Sequence, residues 1–271
     1  MGLATALATL SVVAAMVARA DADVVPVTTT QDPAVTKTVL VVGDSVPKSF
    51  VTEFAEIAAK RGYVVVGAAR GGCPATGVGK VFSSGKRWKN ACRHVVDNQD
   101  AGIEKYRPAL VIWWSRYEIA SRLGSDGKVL PLGSRAYFRA QEASFAERVR
   151  ALTRLGARLV TVQIEPPGRD LAVRNPAEKY FLVGRTLLHR RDVVKGWNTF
   201  LARHRGPTVF SISIDRLVCR DAGSPCDDRL PGGESARPDG VHYSDTAQRL
   251  LAPQIFEKAW RAAQLASASG S

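Results

Sequence analysis

Residues 38–45 read Thr38-Val39-Leu40-Val41-Val42-Gly43-Asp44-Ser45, and the fold is decided by what this run is able to form. Five β-branched or aliphatic residues in succession, stopped by glycine, are too short for a helix. They suit a strand covered on both faces, because a half-exposed strand would alternate apolar with polar. A helical stretch from Lys48 to Arg61 follows, with Phe50, Phe54, Ile57 and Ala58 on one face. Four more strand-like runs lie downstream at Tyr63 to Gly67, Leu110 to Trp114, Arg158 to Ile164 and Thr208 to Ile214. Helical patterns separate them at about Asn98 to Tyr106, Ser134 to Leu155 and Arg191 to His204, and a last one runs from Ser244 to about Ala263. Strands alternating with helices pair in parallel through right-handed crossovers. The expected fold class is therefore α/β: a three-layer α/β/α sandwich, flavodoxin-like, on a mainly parallel five-stranded sheet.

The chain has 271 residues, of which 45% are hydrophobic, enough for one sizeable core. Residues 1–20 run uncharged from Gly2 to Ala18 and end in Ala18-Arg19-Ala20, which reads as a signal peptide or membrane anchor. Residues 21–36 mix Pro, Thr and acidic groups and read as a linker, residues 37–264 as the domain, and 265–271 as a disordered small-residue tail. Export follows, either secreted or held on the outer face of the cytoplasmic membrane. Cys73, Cys92, Cys219 and Cys226 are an even set in an exported chain and point to disulfides. Three pairings are open, and the local one joins Cys73 to Cys92 and Cys219 to Cys226. There is no C-x-x-C and no His at zinc-ligand spacing, so neither a metal nor another cofactor is expected. A formal charge of +13 favours anionic partners, yet no zinc-finger spacing, RNP-like aromatic motif or lysine block is present, which argues against nucleic acid. The domain is expected to be a monomer.

In a doubly wound sheet, ligands sit at the carboxyl ends of the strands. The first strand delivers Gly43-Asp44-Ser45 at that end, which is the place for an exposed nucleophile, although Asp44 or Ser45 there could equally cap the helix that follows. Almost 200 residues later comes Arg237-Pro238-Asp239-Gly240-Val241-His242-Tyr243, just before the last helix. A histidine that takes a serine proton needs its other ring nitrogen held by a carboxylate, and a three-residue spacing across a glycine turn provides that. Ser45, His242 and Asp239 are thus the candidate nucleophile, base and orienting acid.

The pair VLVVGDS and DGVHY resembles the SGNH, or GDSL-like, hydrolases over about residues 38 to 262. The Gly72-Cys73 after the second strand, the Arg107-Pro108 before the third and the Trp113-Trp114-Ser115-Arg116-Tyr117-Glu118 at its end are most similar to extracytoplasmic SGNH domains that accompany membrane O-acyltransferases of cell-surface polysaccharides. That resemblance implies a serine esterase or O-acyltransferase acting on O-acyl, chiefly O-acetyl, groups of an envelope glycan through an acyl-enzyme. It implies an O-acylated polysaccharide or peptidoglycan-type substrate and a membrane acyltransferase partner. It also implies that Asp44 shapes the turn and that a glycine of the second block lends its N–H to the oxyanion hole: Gly72, with Gly71 as the near alternative. The family's third-block Asn has no counterpart here. Arg116 is expected either to replace it as an oxyanion donor or to pair with Glu118. Loss of a donor points to slow hydrolysis, or to a scaffold that binds an anionic wall polymer without turnover.

His94, His189 and His204 lie in polar or basic stretches and read as surface residues. Trp88, Trp113 and Trp114 are candidates for an aromatic platform under a sugar, with Trp114 kept as a site candidate because strand alternation turns at least one of the pair inward. Arg185, His189, Arg190 and Arg191 form a basic cluster, read as a solvated face with a role in gripping an anionic polymer.

Overall fold

A computed structural model describes residues 25–26, 37–78, 92–173 and 182–268. The proposed leader, Trp88, most of the linker and the final three residues lie outside the described residues. Strand β1 (Val25–Pro26) is followed by β2 (Lys37–Gly43), helices α1 (Ser45–Ser49) and α2 (Val51–Ala59), β3 (Tyr63–Gly67), α3 (Arg93–Tyr106) and β4 (Leu110–Trp114). Next come a 3-10 turn at Tyr117–Ile119, α4 (Arg135–Thr153), β5 (Arg158–Val162), α5 (Asp170–Val173), α6 (Leu182–His189) and α7 (Arg191–Arg203). The chain closes with β6 (Val209–Ile212), α8 (Asp215–Val218) and α9 (Asp245–Ala268).

The sheet order is β1-β3-β2-β4-β5-β6, with the five longer strands parallel and β1 antiparallel at the edge. The expected five-stranded parallel sheet is present. Two of the residues read as linker add the short edge strand, a pairing too brief to leave an alternation in the sequence. The chain steps from β2 outward to β3 and then crosses back to β4 on the other flank. The crevice between the carboxyl ends of β2 and β4 is therefore the topological switch point.

Strand alternation splits the core in two. Val39, Val41, Ile112, Trp114 and Val162 face α1, α2 and α9, where Phe50, Phe54, Leu251 and Ile255 meet them. Leu40, Val42, Val111, Trp113 and Leu159 face α3, α4, α6 and α7. Each such aliphatic side chain, buried from water, contributes about 1.5–3 kcal/mol. Both neighbours in the Trp113-Trp114 pair are interior, at 2% and 0% exposure. This corrects the reading of Trp114 as a sugar platform: a strand covered on two faces has no outside for alternation to reach.

The helix after β2 starts at Ser45 itself, three residues earlier than its apolar face suggests, because Asp44 accepts the Val46 N–H as N-cap. Pro47 is tolerated in that first turn, where N–H groups lack helical partners anyway. Helix α9 runs on to Ala268, into the segment read as a tail. The local cysteine pairing holds, with Cys73–Cys92 and Cys219–Cys226 bonded at Cα separations of 5.5 and 5.6 Å. No described helix is long and apolar enough to cross a membrane.

Candidate active site

The crevice is built first by Gly43 and Asp44. Gly43 has φ +147°, and a Cβ there would stand 1.8 Å from the Trp114 carbonyl oxygen, so only glycine lets β2 run this close to β4. Asp44 then ties the two strand ends together. Its Oδ1 accepts from the Val46 N–H at 2.9 Å, and its Oδ2 accepts from the N–H of Arg116 at 2.6 Å and of Tyr117 at 3.2 Å. Burial pushes its carboxyl upward in pKa, while Arg116 and these three N–H groups oppose the shift. Asp44 thus does both things expected of it: it caps the helix and it shapes the turn.

Ser45, on the first residue of α1, has its Oγ 2.8 Å from His242 Nε2. His242 Nδ1 lies 2.6 Å from Asp239 Oδ2. Asp239 Oδ1 accepts the N–H of Val241 at 2.8 Å and of His242 at 2.5 Å, so the acid and the histidine share one closed turn. Partial burial alone would raise the Asp239 pKa, but the bonds from the His242 ring and from these two N–H groups outweigh it and bring it down to about 2. A carboxylate that stays ionised accepts only. Nδ1 therefore carries the imidazole proton, and Nε2 is left to accept from the serine hydroxyl. The turn is itself fixed from behind: Gly240 accepts the Gly168 N–H at 3.0 Å, and a Cβ on Gly240 would reach 2.2 Å from the Leu171 nitrogen.

Gly71 and Gly72 occupy the middle of a turn closed by the Cys73 N–H on the Arg70 carbonyl at 3.1 Å. Gly72 supplies the left-handed residue at φ +70°. Gly71 lies against the serine, where an added Cβ would be 3.7 Å from Ser45 Cβ. Neither glycine N–H has a partner among the described residues. The two glycines thus divide the labour, one bending the chain and the other lining the serine.

Arg116 corrects an expectation. Its side chain is 2% exposed and points into the interior, where it pairs with Glu165 and donates to the Val241 carbonyl at 2.5 Å. It neither aims into the crevice nor meets Glu118, which is buried elsewhere and accepts from the Thr76 hydroxyl at 2.8 Å. Two of its terminal N–H groups are thus committed to interior acceptors, and a side chain only 2% exposed is not presented to a ligand in the crevice.

The group that receives Arg116 was not anticipated. Glu165, the third residue beyond β5, is 0% exposed; it also accepts the Tyr243 hydroxyl at 2.6 Å and the Trp114 indole N–H at 3.4 Å. Arg237 stands 4.0 Å from it, donates to Asp228 at 2.8 Å and to the Pro166 carbonyl at 2.6 Å, and packs with Arg116 on the Tyr243 ring. Burial would raise the Glu165 pKa, but the two arginines hold it low. His242 is therefore flanked on both sides, through Val241 and Tyr243, by residues tied to one buried carboxylate. The visible signal was the position of Arg237 and Tyr243 at the two ends of the RPDGVHY motif, and of Glu165 beside a strand end before two prolines.

The remaining histidines stay apart from Ser45. His94 faces solvent 3.6 Å from Asp97, His189 is exposed, and His204 is half-buried against Phe145 and Phe200. Arg190 is engaged by Asp192 and the Leu132 carbonyl, so the basic cluster is in part structural.

Among curated proteins none matches by sequence. In fold, the chain is similar to the periplasmic domain of a lipopolysaccharide acetyltransferase from Salmonella ser. Paratyphi A, with TM-score 0.53 and 13% identity over 82% of this chain and 83% of that one. A GDSL-like lipase from Bacteroides thetaiotaomicron aligns at TM-score 0.46 and 11% identity, covering 82% and 89%. The family model for the SGNH domain fused to AT3 domains matches residues 16–257. With the GDS serine at the switch point and the D-x-x-H pair folded onto it, the chain belongs to the SGNH domain family that is fused to AT3 domains.

Proposed function

We propose that the domain is a serine esterase or O-acyltransferase acting on O-acyl, chiefly O-acetyl, groups of a cell-envelope glycan. The observation that supports this reading is the unbroken relay from Ser45 Oγ through His242 to Asp239, at 2.8 and 2.6 Å. In this reading Ser45 Oγ attacks the ester carbonyl carbon while His242 Nε2 takes its proton. The imidazolium, held by Asp239, returns that proton to the departing alcohol, leaving the acyl group on Ser45. Water or a sugar hydroxyl then attacks the acyl-enzyme, gives its proton to His242, and restores the serine.

The negative oxygen of each tetrahedral intermediate is met by the N–H of Ser45, which as the first helical residue has no helical partner, and by the second-block glycine, with Gly71 better placed than Gly72. With Arg116 turned inward, this hole has two backbone donors and lacks a third-block side chain. One missing donor costs about 100- to 1000-fold in rate, which suits transfer to a bound acceptor better than fast hydrolysis. The same observation favours a second reading, a scaffold that binds glycan without turnover. The family's association with AT3 domains and the fold shared with a periplasmic acetyltransferase domain support an extracytoplasmic site of action beside a membrane acyltransferase.

The test is to incubate the folded chain with a fluorophosphonate probe and with p-nitrophenyl acetate. Labelling and turnover that vanish in Ser45→Ala are expected; labelling that persists in Ser45→Ala, or none in the parent, leaves only the binding scaffold.

A further inference from the structure

Two adjoining depressions open at the carboxyl ends of β5 and β6. One, of about 850 Å³, is lined in part by Ser213, Arg216, Arg220 and Lys258. The other, of about 510 Å³, is lined in part by Gln163, Arg191, Lys195 and Thr199. Both are walled by Pro166, Asp215 and Ala222, so they form one groove. Among the described residues, five cations line it against two carboxylates, Asp215 and Asp221. Asp221 is already engaged by Arg169 at 2.9 Å and by the N–H groups of Gly223 and Asp227. Arg191, Lys195, Arg216 and Lys258 are exposed, and none has a carboxylate within ion-pair distance among the described residues. Cations gathered in a concave, polar cleft concentrate a field for an anionic ligand.

The groove backs directly on the candidate site. The Pro166 carbonyl that helps wall it accepts from Arg237, and two residues further Gly168 donates to Gly240 of the histidine turn. We propose that this groove binds a polyanionic polysaccharide, one carrying carboxylate or phosphate groups along its backbone, and holds it beside the Asp239–His242 turn. That it is the acyl donor or acceptor rests on the function proposed above; that it binds does not. Among the described residues no aromatic side chain lines either depression, so they offer no stacking platform of the kind single-stranded nucleic acid needs. A concave cleft with hydroxyl and amide groups between its cations also fits a hydrated chain better than a flat membrane surface.

The experiment is affinity electrophoresis of the full chain through gels containing polygalacturonate, polyphosphate, neutral dextran or oligo-dT, at low and high salt. The variants are Lys195→Glu/Arg216→Glu/Lys258→Glu, the single Lys195→Glu, Ser45→Ala, and a control of equal charge on the outer face of α4, Arg135→Glu/Arg139→Glu/Arg150→Glu. Retardation by polygalacturonate or polyphosphate, weakened by salt and absent in dextran, is expected. The groove triple variant should bind at least about tenfold more weakly and Lys195→Glu about twofold, with the control and Ser45→Ala unchanged and p-nitrophenyl acetate turnover intact in the groove variants. Equal loss in the α4 control, unaltered binding in both groove variants, or stronger retardation by oligo-dT overturns the proposal. Binding that persists while the parent shows no Ser45-dependent turnover leaves the groove standing and removes the enzymatic reading.

Discussion

The hydroxyl of Tyr243 donates to Oε1 of Glu165 at 2.6 Å, from the residue directly after His242. Glu165 lies three residues past the end of β5, and the same oxygen receives Arg116. A buried carboxylate thus couples the rigid part of the fold to the loop that carries His242.

Replacing Glu165 by Gln leaves Arg116 and Arg237 buried with too little negative charge between them. Breaking such a pair by removing one partner costs about 3–5 kcal/mol, to be read from urea unfolding. Tyr243→Phe keeps the ring against Phe50 and Trp114 and removes only the hydroxyl, for about 1–2 kcal/mol. Its kcat should nonetheless fall about tenfold or more with KM unchanged, because small displacements of a base are expensive in rate. A Tyr243→Phe enzyme as fast as its parent would refute this positioning role.

Acid should reach Asp239 only well below the ordinary carboxylate range. Asp239 is depressed to about 2 from an ordinary 3.8, so its contribution to stability is complete above about pH 4 and is lost only as the pH falls toward 2. Between pH 4 and 8 the carboxylate stays charged, so protonation of Asp239 should add nothing to the pH dependence of kcat/KM in that range. A slope of two in that range contradicts the assignment. Asp239→Asn should lose about 10⁴-fold, as the equivalent change does in other serine triads.

Gly71 and Gly72 are expected to separate chemistry from stability. A methyl at Gly71 makes an ordinary 3.7 Å contact with Ser45, so Gly71→Ala should melt within about 0.5 kcal/mol of the parent yet lose turnover by crowding the substrate carbonyl. Gly72→Ala forces a side chain to φ +70° and should lose about 1 kcal/mol or more. Paired thermal melts and p-nitrophenyl acetate rates on the two variants check this, and equal rates sink the division.

Gly43→Ala should be the most damaging single methyl in the chain. Its Cβ has nowhere to go but into the Trp114 backbone, which is locked in the sheet. The combined clash and strain are about 3 kcal/mol or more, and soluble expression with an unchanged melting curve would show that the strands separate more easily than this geometry implies.

The parallel strands were legible because the central ones, β2 and β4, are covered on two faces and read as unbroken apolar runs, while β5 and β6 keep enough β-branched and aliphatic residues around Thr161 and Ser211 to read as strands. The triad was legible for a related reason: Gly43-Asp44-Ser45 ends such a run, and Asp239 and His242 are close enough in sequence to share a turn. Arg116 was misjudged because sequence tells which strand end a residue occupies but not which side of that end its side chain takes. Glu165 escaped notice since its partners come from Trp114, Arg116, Arg237 and Tyr243, contacts that no periodicity records. Of the groove's cations only Arg191 stood out in sequence, within a basic cluster; Lys195, Arg216 and Lys258 come from three helices that only the folded chain brings around one opening.

The hydrogen bond between Ser45 and His242 spans 197 residues of chain. During synthesis the serine emerges early, on a strand whose neighbours do not yet exist, and without imidazole contact its hydroxyl is an ordinary alcohol. In the proposed mechanism, reactivity would therefore switch on only when the carboxyl-terminal turn docks into the finished sheet. An incomplete or proteolytically shortened chain would then be chemically mute, and under the proposed function turnover of even a simple ester would double as a gauge of how much of a preparation has folded to its end.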